Sequence, residues 1–273
     1  MATVDCYDYM KGAASGGTLY TIVNALHGSI LNEKPMVSHS NRFVSNLSFD
    51  PMLKNQKGDK SIFKVANKLT LAPTWNEEIQ AWTGFFVMSL VNGAVVRRSH
   101  ALQGYNQVKS DDDPNLLSSK ILYREGRVFP TFLSCLNDTI ITYTAFTALS
   151  IPFLVSLLYK FNILPKPGEG PSEKVQKDSF CKVNAIGTSV EGGKVDASIY
   201  YPQDVGYYWT ARMLCESGLS LALQLDKTAE RGGVYTPAAG IGNVLLDRLV
   251  DAGVSFSVSE VYSHNVDDEG KKE

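Results

Sequence analysis

The sequence predicts an α/β arrangement in which strands are separated by helices. Apolar and polar residues alternate over residues 195–201 and again over 254–258, which is typical of half-buried strands. Between them, residues 210–225 repeat apolar side chains at the spacing of an amphipathic helix. The proposed apolar stripe of this helix holds Leu214, Cys215, Leu219, Leu221, Ala222 and Leu225.

The start of the chain predicts a strand, a glycine turn and a helix. Residues 3–9 alternate in character, and the glycine-rich residues 15–18 lead into an apolar run that Gly28 ends as a helix C-cap would. Because a strand begins so near the first residue, we expect further sequence upstream. Residues 33–73 are polar and irregular, so we expect loop with short elements there.

Later segments extend this pattern. Residues 82–100 form an apolar segment that ends with two adjacent arginines. We expect residues 107–118 to form a solvated loop and residues 121–123 to begin a strand. Thr236 suits the N-cap position and the following proline suits the first helical position. We therefore predict one helix from this point to Gly253.

Residues 139–159 are the most informative stretch physically. These 21 consecutive residues between Asp138 and Lys160 carry no charge, and at about 1.5 Å per residue a helix of that length reaches roughly the 30 Å of a bilayer core. Four threonines, two serines and the helix-kinking Pro152 lower its hydrophobicity. A spanning helix, a bent half-inserted hairpin and a buried core hairpin stay open as interpretations. The lysines that follow would suit an anionic cytoplasmic leaflet; they are Lys160, Lys166, Lys174 and Lys177.

Composition excludes several classes of protein. The chain is 44% apolar, enough for a sizeable core, and its 26 basic and 28 acidic residues give a net charge of -2, too balanced to hold nucleic acid. The N-terminus lacks the basic and apolar run of a secretory signal. The cysteines are far apart and form no CxxC pair, so we expect a reducing compartment and buried, apolar cysteines; they are Cys6, Cys135, Cys181 and Cys215.

We expect no metal site and no cofactor bound by this chain alone. Residues 240–245 have leucine where a dinucleotide turn needs a third small residue. Residues 12–17 follow a strand, but their glycine spacing is wrong, so a tight turn is favoured over a phosphate contact. No catalytic residue is assigned, since no metalloprotease or serine-hydrolase motif occurs and the histidines are scattered; they are His27, His39, His100 and His264.

Arg97 and Arg98 form a polar cluster directly after an apolar run. Paired guanidinium groups can hold a carboxylate or phosphate bidentately, which makes them candidate substrate contacts. The alternative is structural pairing with acidic residues such as Asp204 or Glu216.

Five stretches, in order, carry a resemblance to a known family. They are Ala14-Ser15-Gly16-Gly17-Thr18, Phe86-Val87-Met88 through Asn92 to Arg97-Arg98-Ser99, Leu164-Pro165-Lys166-Pro167-Gly168-Glu169-Gly170-Pro171-Ser172, Asp204-Val205-Gly206-Tyr207 with Thr210-Ala211, and Gly232-Gly233-Val234-Tyr235-Thr236-Pro237-Ala238-Ala239. On these residues the chain resembles the C-terminal region of saccharopine-dehydrogenase-like oxidoreductases, which include mycobacterial trans-acting enoyl reductases. The family often has Asp-Pro-Gly-Tyr where this chain has Asp-Val-Gly-Tyr, which makes that turn less constrained here.

The resemblance implies an enzyme whose N-terminal Rossmann domain binds NAD(P), followed by a mixed sheet with helices. This chain resembles the second part only. The full fold prediction is therefore α/β (α+β): a mixed β-sheet with helices packed on it, plus an apolar helical hairpin insertion. Arg97, Arg98 and Tyr207 are the expected substrate contacts.

The predicted function is the substrate-side domain of an oxidoreductase of lipid metabolism, NAD(P)-dependent when joined to its Rossmann domain. The alternative is a non-catalytic membrane or lipid-droplet scaffold, and a third hypothesis is that a separate polypeptide supplies the nucleotide-binding half. Expected partners are a lipid-like small molecule, the cytoplasmic face of a lipid droplet or organelle membrane, and a second copy in a homodimer. The predicted organisation is a domain in two halves (1–128 and 179–262), an apolar segment (129–164), a linker (165–178) and a polar tail (263–273).

Overall fold

A computed structural model describes residues 2–12, 16–27, 72–103, 121–166, 168–189, 192–229 and 232–261. The strands in these ranges are β1 (Ala2–Lys11), β2 (Thr74–Asn76), β3 (Ala81–Gly84), β4 (Ile121–Phe129), β5 (Phe180–Thr188), β6 (Lys194–Tyr201) and β7 (Ser255–Val261). The helices are α1 (Gly16–His27), α2 (Ser89–Leu102), α3 (Phe132–Leu149), α4 (Pro152–Lys160), α5 (Glu173–Lys177), α6 (Tyr208–Leu223), α7 (Pro237–Gly240) and α8 (Asn243–Asp251), with a 3₁₀ turn at Leu225–Lys227.

The strands form one mixed sheet in the order β2-β3-β4-β1-β5-β6-β7. β1 pairs with β4 in parallel, and every other neighbouring pair is antiparallel. β1 therefore lies at the centre, with both of its edges hydrogen-bonded. The predicted mixed sheet with packed helices is confirmed.

One face of the sheet carries α2, α3, α6 and α8. The pairing register places Ile199, Val183, Asp8 and Arg127 in one row across β6, β5, β1 and β4. At one end of this row Ile199 packs against a buried cluster of Trp209, Leu249 and Val254, which α6, α8 and the start of β7 supply. At the other end Arg127 reaches Asp138 of α3.

A second core joins α1 to α3 and α4. Val23, Leu149 and Val155 are its buried members. A capping box at Thr131 begins α3, and Pro152 begins α4 because a proline at the first helical turn loses no helical hydrogen bond. The two helices are bent by 100°, and no single helix in the described ranges is long and apolar enough to cross a membrane. The apolar pair predicted from the sequence is thus present, in a bent form.

Three sequence-based details were wrong. Residues 236–253 form two helices, because Gly242 has a φ of 63° and breaks the helix between α7 and α8. The leucine stripe of α6 faces outward, since the large ring of Trp209 anchors the opposite side of the helix on the sheet. Cys215 is exposed on that outward face, whereas the other three cysteines are buried as expected.

Some elements were not predicted. β2, β3 and β5 were missed, and the short helix α5 lies within residues 165–178, taken as a linker. The predicted loop at 107–118 and nearly all of that at 33–73 lie outside the described residues, as do His39 and His264.

Candidate functional site

Several of the family-like stretches meet at one edge of the sheet. β1, β4 and β6 all end at this edge, because they run in the same direction, and α1, α3 and α6 begin there. The backbone N–H of Gly16 donates to the carbonyl of Glu169 at 3.0 Å, and the hydroxyl of Tyr207 donates to the same carbonyl at 3.3 Å. Gly16, Glu169, Asp204 and Tyr207 are called the motif edge below.

Gly16 is required by a close backbone approach. A Cβ at this position would lie 1.9 Å from the carbonyl oxygen of Lys166, so any other residue would displace the 165–172 loop. The amide of Gly16 is already used by Glu169. This amide therefore serves packing of the loop, while residues 13–15 lie outside the described part of the chain.

Asp204 organises the turn that leads into α6. Its side chain is buried, and it accepts a hydrogen bond from the backbone N–H of Tyr207 at 2.5 Å. Its carbonyl accepts from the N–H of Trp209 at 3.0 Å. Tyr207 itself is half-buried, with its ring against Gly170, where an added Cβ would lie 2.8 Å from the ring. The turn thus presents the Tyr207 ring beside the 165–172 loop.

The predicted arginine cluster lies on α2. Arg98 is half-buried, and the side chain of Arg97 lies outside the described part of the structure. The two acidic residues considered as structural partners of the arginines bind other groups. Asp204 accepts a hydrogen bond from the N–H of Tyr207, and Glu216 forms an ion pair with Arg248 at 2.7 Å. No hydrogen bond or ion pair within the described ranges joins Arg98 to Tyr207.

The end of α2 contacts the family-like residues 232–239. The hydroxyls of Ser99 and Thr236 lie 2.7 Å apart, and the side-chain amide of Gln103 donates to the carbonyl of Ala238 at 3.4 Å. The structure thus joins two stretches that are well over a hundred residues apart in sequence. It places Arg98 directly beside this junction.

Sequence reasoning missed a pair of buried carboxyl groups beneath α2. Asp8 on β1 and Glu125 on β4 are only 3% and 5% exposed, and the side-chain amide of Asn92 donates to Glu125 Oε1 at 2.8 Å. Asp8 Oδ2 and Glu125 Oε2 are buried and have no hydrogen-bond partner among the described residues. One proton shared between the two oxygens would satisfy both. Asp8, Asn92 and Glu125 are called the carboxyl cluster below.

The environment of this cluster favours its protonated form. Burial, followed by the negative charge of Glu125, raises the pKa of Asp8 from 3.8 to about 8. Burial also raises the pKa of Glu125, and the hydrogen bond from Asn92 opposes that rise. Asp8 therefore holds a proton at neutral pH. A substrate does not reach it, because the sheet and α2 enclose it.

The thiols beside the cluster are unreactive. Burial raises the pKa of Cys6 and of Cys181 to about 12 in each case, so both remain neutral thiols rather than nucleophilic thiolates. No group of three or more potential ligands that could hold a metal ion occurs in the ranges the structure describes. One signal for the cluster was present in the sequence: β1 carries Asp8 between aromatic and apolar residues.

The fold and the motif edge define an α/β protein with a mixed, seven-stranded sheet, and the three relatives given next are named as trans-acting enoyl reductases. The chain is 30% identical over 255 residues to the trans-acting enoyl reductase of Mycobacterium ulcerans, covering 91% of this chain and 57% of that protein. It is 34% identical over 180 residues to the trans-acting enoyl reductase of Mycobacterium bovis, covering 66% and 42%. A Mycobacterium tuberculosis protein of the same designation is 29% identical over 264 residues, covering 93% and 58%.

The chain is therefore homologous to trans-acting enoyl reductases over most of its length, and this part of the resemblance is confirmed. It spans slightly more than half the length of the relatives that it matches most fully, 57% and 58%. No profile of a known protein family matches the chain. No solved structure matches it.

Proposed function

We propose that this chain is the substrate-side domain of a saccharopine-dehydrogenase-like reductase that acts on a carbon–carbon double bond or carbonyl of a lipid-like molecule. The observation that carries the proposal is homology to trans-acting enoyl reductases across 93% of the chain. Enoyl reductases reduce a C=C bond conjugated to a carbonyl, so a greasy unsaturated acyl group is the proposed substrate class.

NAD(P)H is the proposed reductant. The described residues do not have the arrangement that a dinucleotide-binding site needs. The amide of Gly16 at the start of α1 is bonded to Glu169. The glycines at 240 and 242 lie around the break between α7 and α8, and no strand leads into them. A dinucleotide site needs a strand, a glycine turn and a free helix N-terminus. We therefore assign cofactor binding to the portion of the relatives that this chain does not span, or to a separate polypeptide.

Arg97, Arg98 and Tyr207 are the proposed substrate contacts. Arg98 is half-buried on α2 beside the Ser99–Thr236 junction, where a guanidinium group could bind the carbonyl or a phosphate of a carrier-linked substrate. Tyr207 offers a half-exposed ring and a hydroxyl whose bond to Glu169 is long, at 3.3 Å. The proposed setting is the cytoplasmic face of a lipid droplet or organelle membrane, with a homodimer as the assembly.

The decisive experiment compares this chain with one extended upstream in its reading frame. NADPH binding is measured by fluorescence for both chains, and reduction of an unsaturated acyl thioester is followed as NADPH is consumed. We expect binding and turnover in the extended chain only. If no longer frame exists, the same assay is repeated on proteins that co-purify with this chain; failure of both would contradict the reductase proposal.

Variants of the extended chain test the contacts. We expect Arg98→Ala to raise KM about tenfold or more, because a charged hydrogen bond is worth about 1.5–3 kcal/mol. Arg212→Ala is the matched control, since Arg212 is half-exposed on α6 and 3.8 Å from Glu216. Equal effects of the two changes on KM would show that Arg98 does not contact the substrate.

A second candidate is a non-catalytic scaffold at a membrane or lipid-droplet surface. The observation that favours it is the set of large apolar side chains exposed on α3 and α4. Membrane binding by the present chain together with no NADPH-dependent turnover by the extended chain would support the scaffold over the reductase.

A further inference from the structure

The bent pair α3–α4 and the three residues after it expose large apolar side chains. Six of them are between 55% and 74% exposed, and they are called the apolar surface: Leu133, Ile140, Ile141, Phe153, Phe161 and Ile163. Large apolar side chains exposed in such number on one pair of helices are typical of interaction sites. The chain carries no charge from residue 139 to residue 159, and the charges nearest to this stretch in sequence are Asp138 before it and Lys160 after it.

The opposite side of the same helices is packed against the protein. Val155 of α4 and Leu149 of α3 are buried against Val23 of α1. Nearer the start of α3, Cys135 and Thr139 pack against Gly84 of β3, where an added Cβ would lie 2.8 Å from the Cys135 sulfur. The helices are therefore fixed to the sheet domain on one side and apolar on the other.

Three exposed hydroxyl groups in the uncharged stretch are hydrogen-bonded within the helices themselves. Thr147 donates to the carbonyl of Tyr143 at 2.8 Å, Ser150 to that of Phe146 at 2.7 Å, and Ser156 to that of Pro152 at 3.1 Å. All three are exposed residues. A hydroxyl bonded to the carbonyl four residues earlier needs no water, which lowers the cost of moving it into lipid. These three hydroxyl groups thus do not oppose membrane contact.

The pair does not form one straight transmembrane helix. α4 has nine residues, a length of about 14 Å, less than half of a bilayer's hydrocarbon core. α3 has 18 residues, but α4 leaves it at 100°, and the buried side of both helices is attached to the domain. Geometry of this kind suits a helix pair that lies in the membrane interface.

We propose that α3–α4 is a monotopic membrane anchor whose apolar surface enters one leaflet of a phospholipid membrane, with Phe153, Phe161 and Ile163 leading. This inference rests on the proposed membrane association and not on the proposed reductase chemistry. Lys160 lies between these residues in sequence, and Lys166 follows three residues after Ile163. Both are exposed, and their long side chains can reach anionic headgroups while the rings enter the acyl region.

Vesicle flotation tests the anchor. The probe is phosphatidylcholine vesicles with and without phosphatidylserine, and the protein is the full 273-residue chain. We expect the unaltered chain to float with the vesicles, more strongly when phosphatidylserine is present. Phe153→Asp should weaken binding about tenfold or more, because a carboxylate in the acyl region is costly.

The matched control is Leu214→Asp on α6. Leu214 is 74% exposed and Phe153 is 72% exposed, so the two changes add the same charge at equally accessible apolar positions. The exposed side of α6 also carries the charged Arg212. We expect Leu214→Asp to leave vesicle binding unchanged; an equal loss in both variants would overturn the assignment to α3–α4. Circular dichroism checks that both remain folded.

Depth is measured with Phe153→Trp and Leu214→Trp. Brominated lipids quench tryptophan only within the acyl region, so the Phe153→Trp variant should be quenched above the level of the unaltered chain and the Leu214→Trp variant should not. Binding that survives Phe153→Asp would overturn the anchor and leave membrane association standing. Failure of the unaltered chain to bind vesicles would overturn both, and a Phe153→Asp change that only splits a dimer would identify a second copy as the occupant.

Discussion

The centre of the sheet and the α3–α4 pair distribute polar and apolar side chains in opposite ways. At the centre, Asp8 and Glu125 are buried next to each other beneath α2. On the pair, large side chains such as Leu133 and Phe153 face outward. Globular domains ordinarily bury apolar groups and expose charged ones, so both regions depart from the ordinary distribution.

The difference separates two physical costs. Burial of two carboxylates in the carboxyl cluster would cost free energy, and a proton shared between them lowers that cost because it removes one charge. Exposure of the apolar surface costs free energy in water only, and burial in lipid removes that cost. The first region thus makes stability depend on pH, and the second would favour membrane binding if the proposed anchor is correct.

The largest expected effect is a difference in stability between aspartate substitutions at two nearby positions of α4. Val155→Asp places a charge at a site that is 6% exposed and should destabilise the chain by more than about 4 kcal/mol, because the carboxylate has no partner there. Phe153→Asp should change stability in water by less than about 0.5 kcal/mol. Urea unfolding measures both, and unfolding by Phe153→Asp would show that the apolar surface is part of a core.

The second effect concerns pH. The unfolded chain ionises Asp8 near its ordinary pKa of 3.8, whereas the folded chain keeps the proton until about pH 8, so unfolding releases a proton between these values. The free energy of unfolding should therefore fall as pH rises, by about 2 kcal/mol from pH 6 to pH 8. Asp8→Asn should abolish most of this fall, as measured by urea titrations at both pH values.

Glu125→Gln sharpens the same test. Because the charge of Glu125 is one cause of the raised pKa of Asp8, its removal should end the fall in stability at a lower pH than in the unaltered chain. A pH profile identical in all three proteins would show that the two carboxyl groups are not coupled.

A third, smaller effect is expected at Asn92. Asn92→Ala removes the donor to Glu125 Oε1 and leaves a buried oxygen unsatisfied, at a cost of about 1–3 kcal/mol. Asn243→Ala is the control, since Asn243 is exposed at the start of α8. Thermal unfolding compares the two, and equal shifts would argue against a closed carboxyl cluster.

The smallest effect is expected at Ser150. Its hydroxyl is exposed and bonded to its own helix, so Ser150→Ala should change stability by less than about 0.5 kcal/mol. Vesicle binding should be equal or slightly stronger. A clear loss of binding would mean that this hydroxyl contacts headgroups rather than its own helix.

The sequence predicted those features that local patterns determine. Alternation in residues 195–201 gave β6, and the 3–4 spacing after Gly16 gave α1. β5 was missed because a central strand with polar residues such as Lys182 and Asn184 lacks a regular alternation. Burial of Trp209 overrode the leucine stripe of α6.

The candidate site depended on contacts that no local pattern records. Tyr207 was found through a motif, but its partner Glu169 lies on a different loop. The carboxyl cluster needs β1 and β4 side by side, because more than a hundred residues separate Asp8 from Glu125 in sequence and only the parallel pairing of the two strands brings them together. Long-range strand pairing of this kind cannot be read from spacing in one sequence.

The segment after α4 sets a short distance between two surfaces. Ile163 is among the most exposed apolar residues of the chain, and three residues later the carbonyl of Lys166 lies against Gly16 at the motif edge. Three residues of extended chain span no more than about 11 Å. If the proposed anchor places Ile163 in a leaflet, the part of the motif edge that contacts Lys166 is therefore held within about 11 Å of that leaflet.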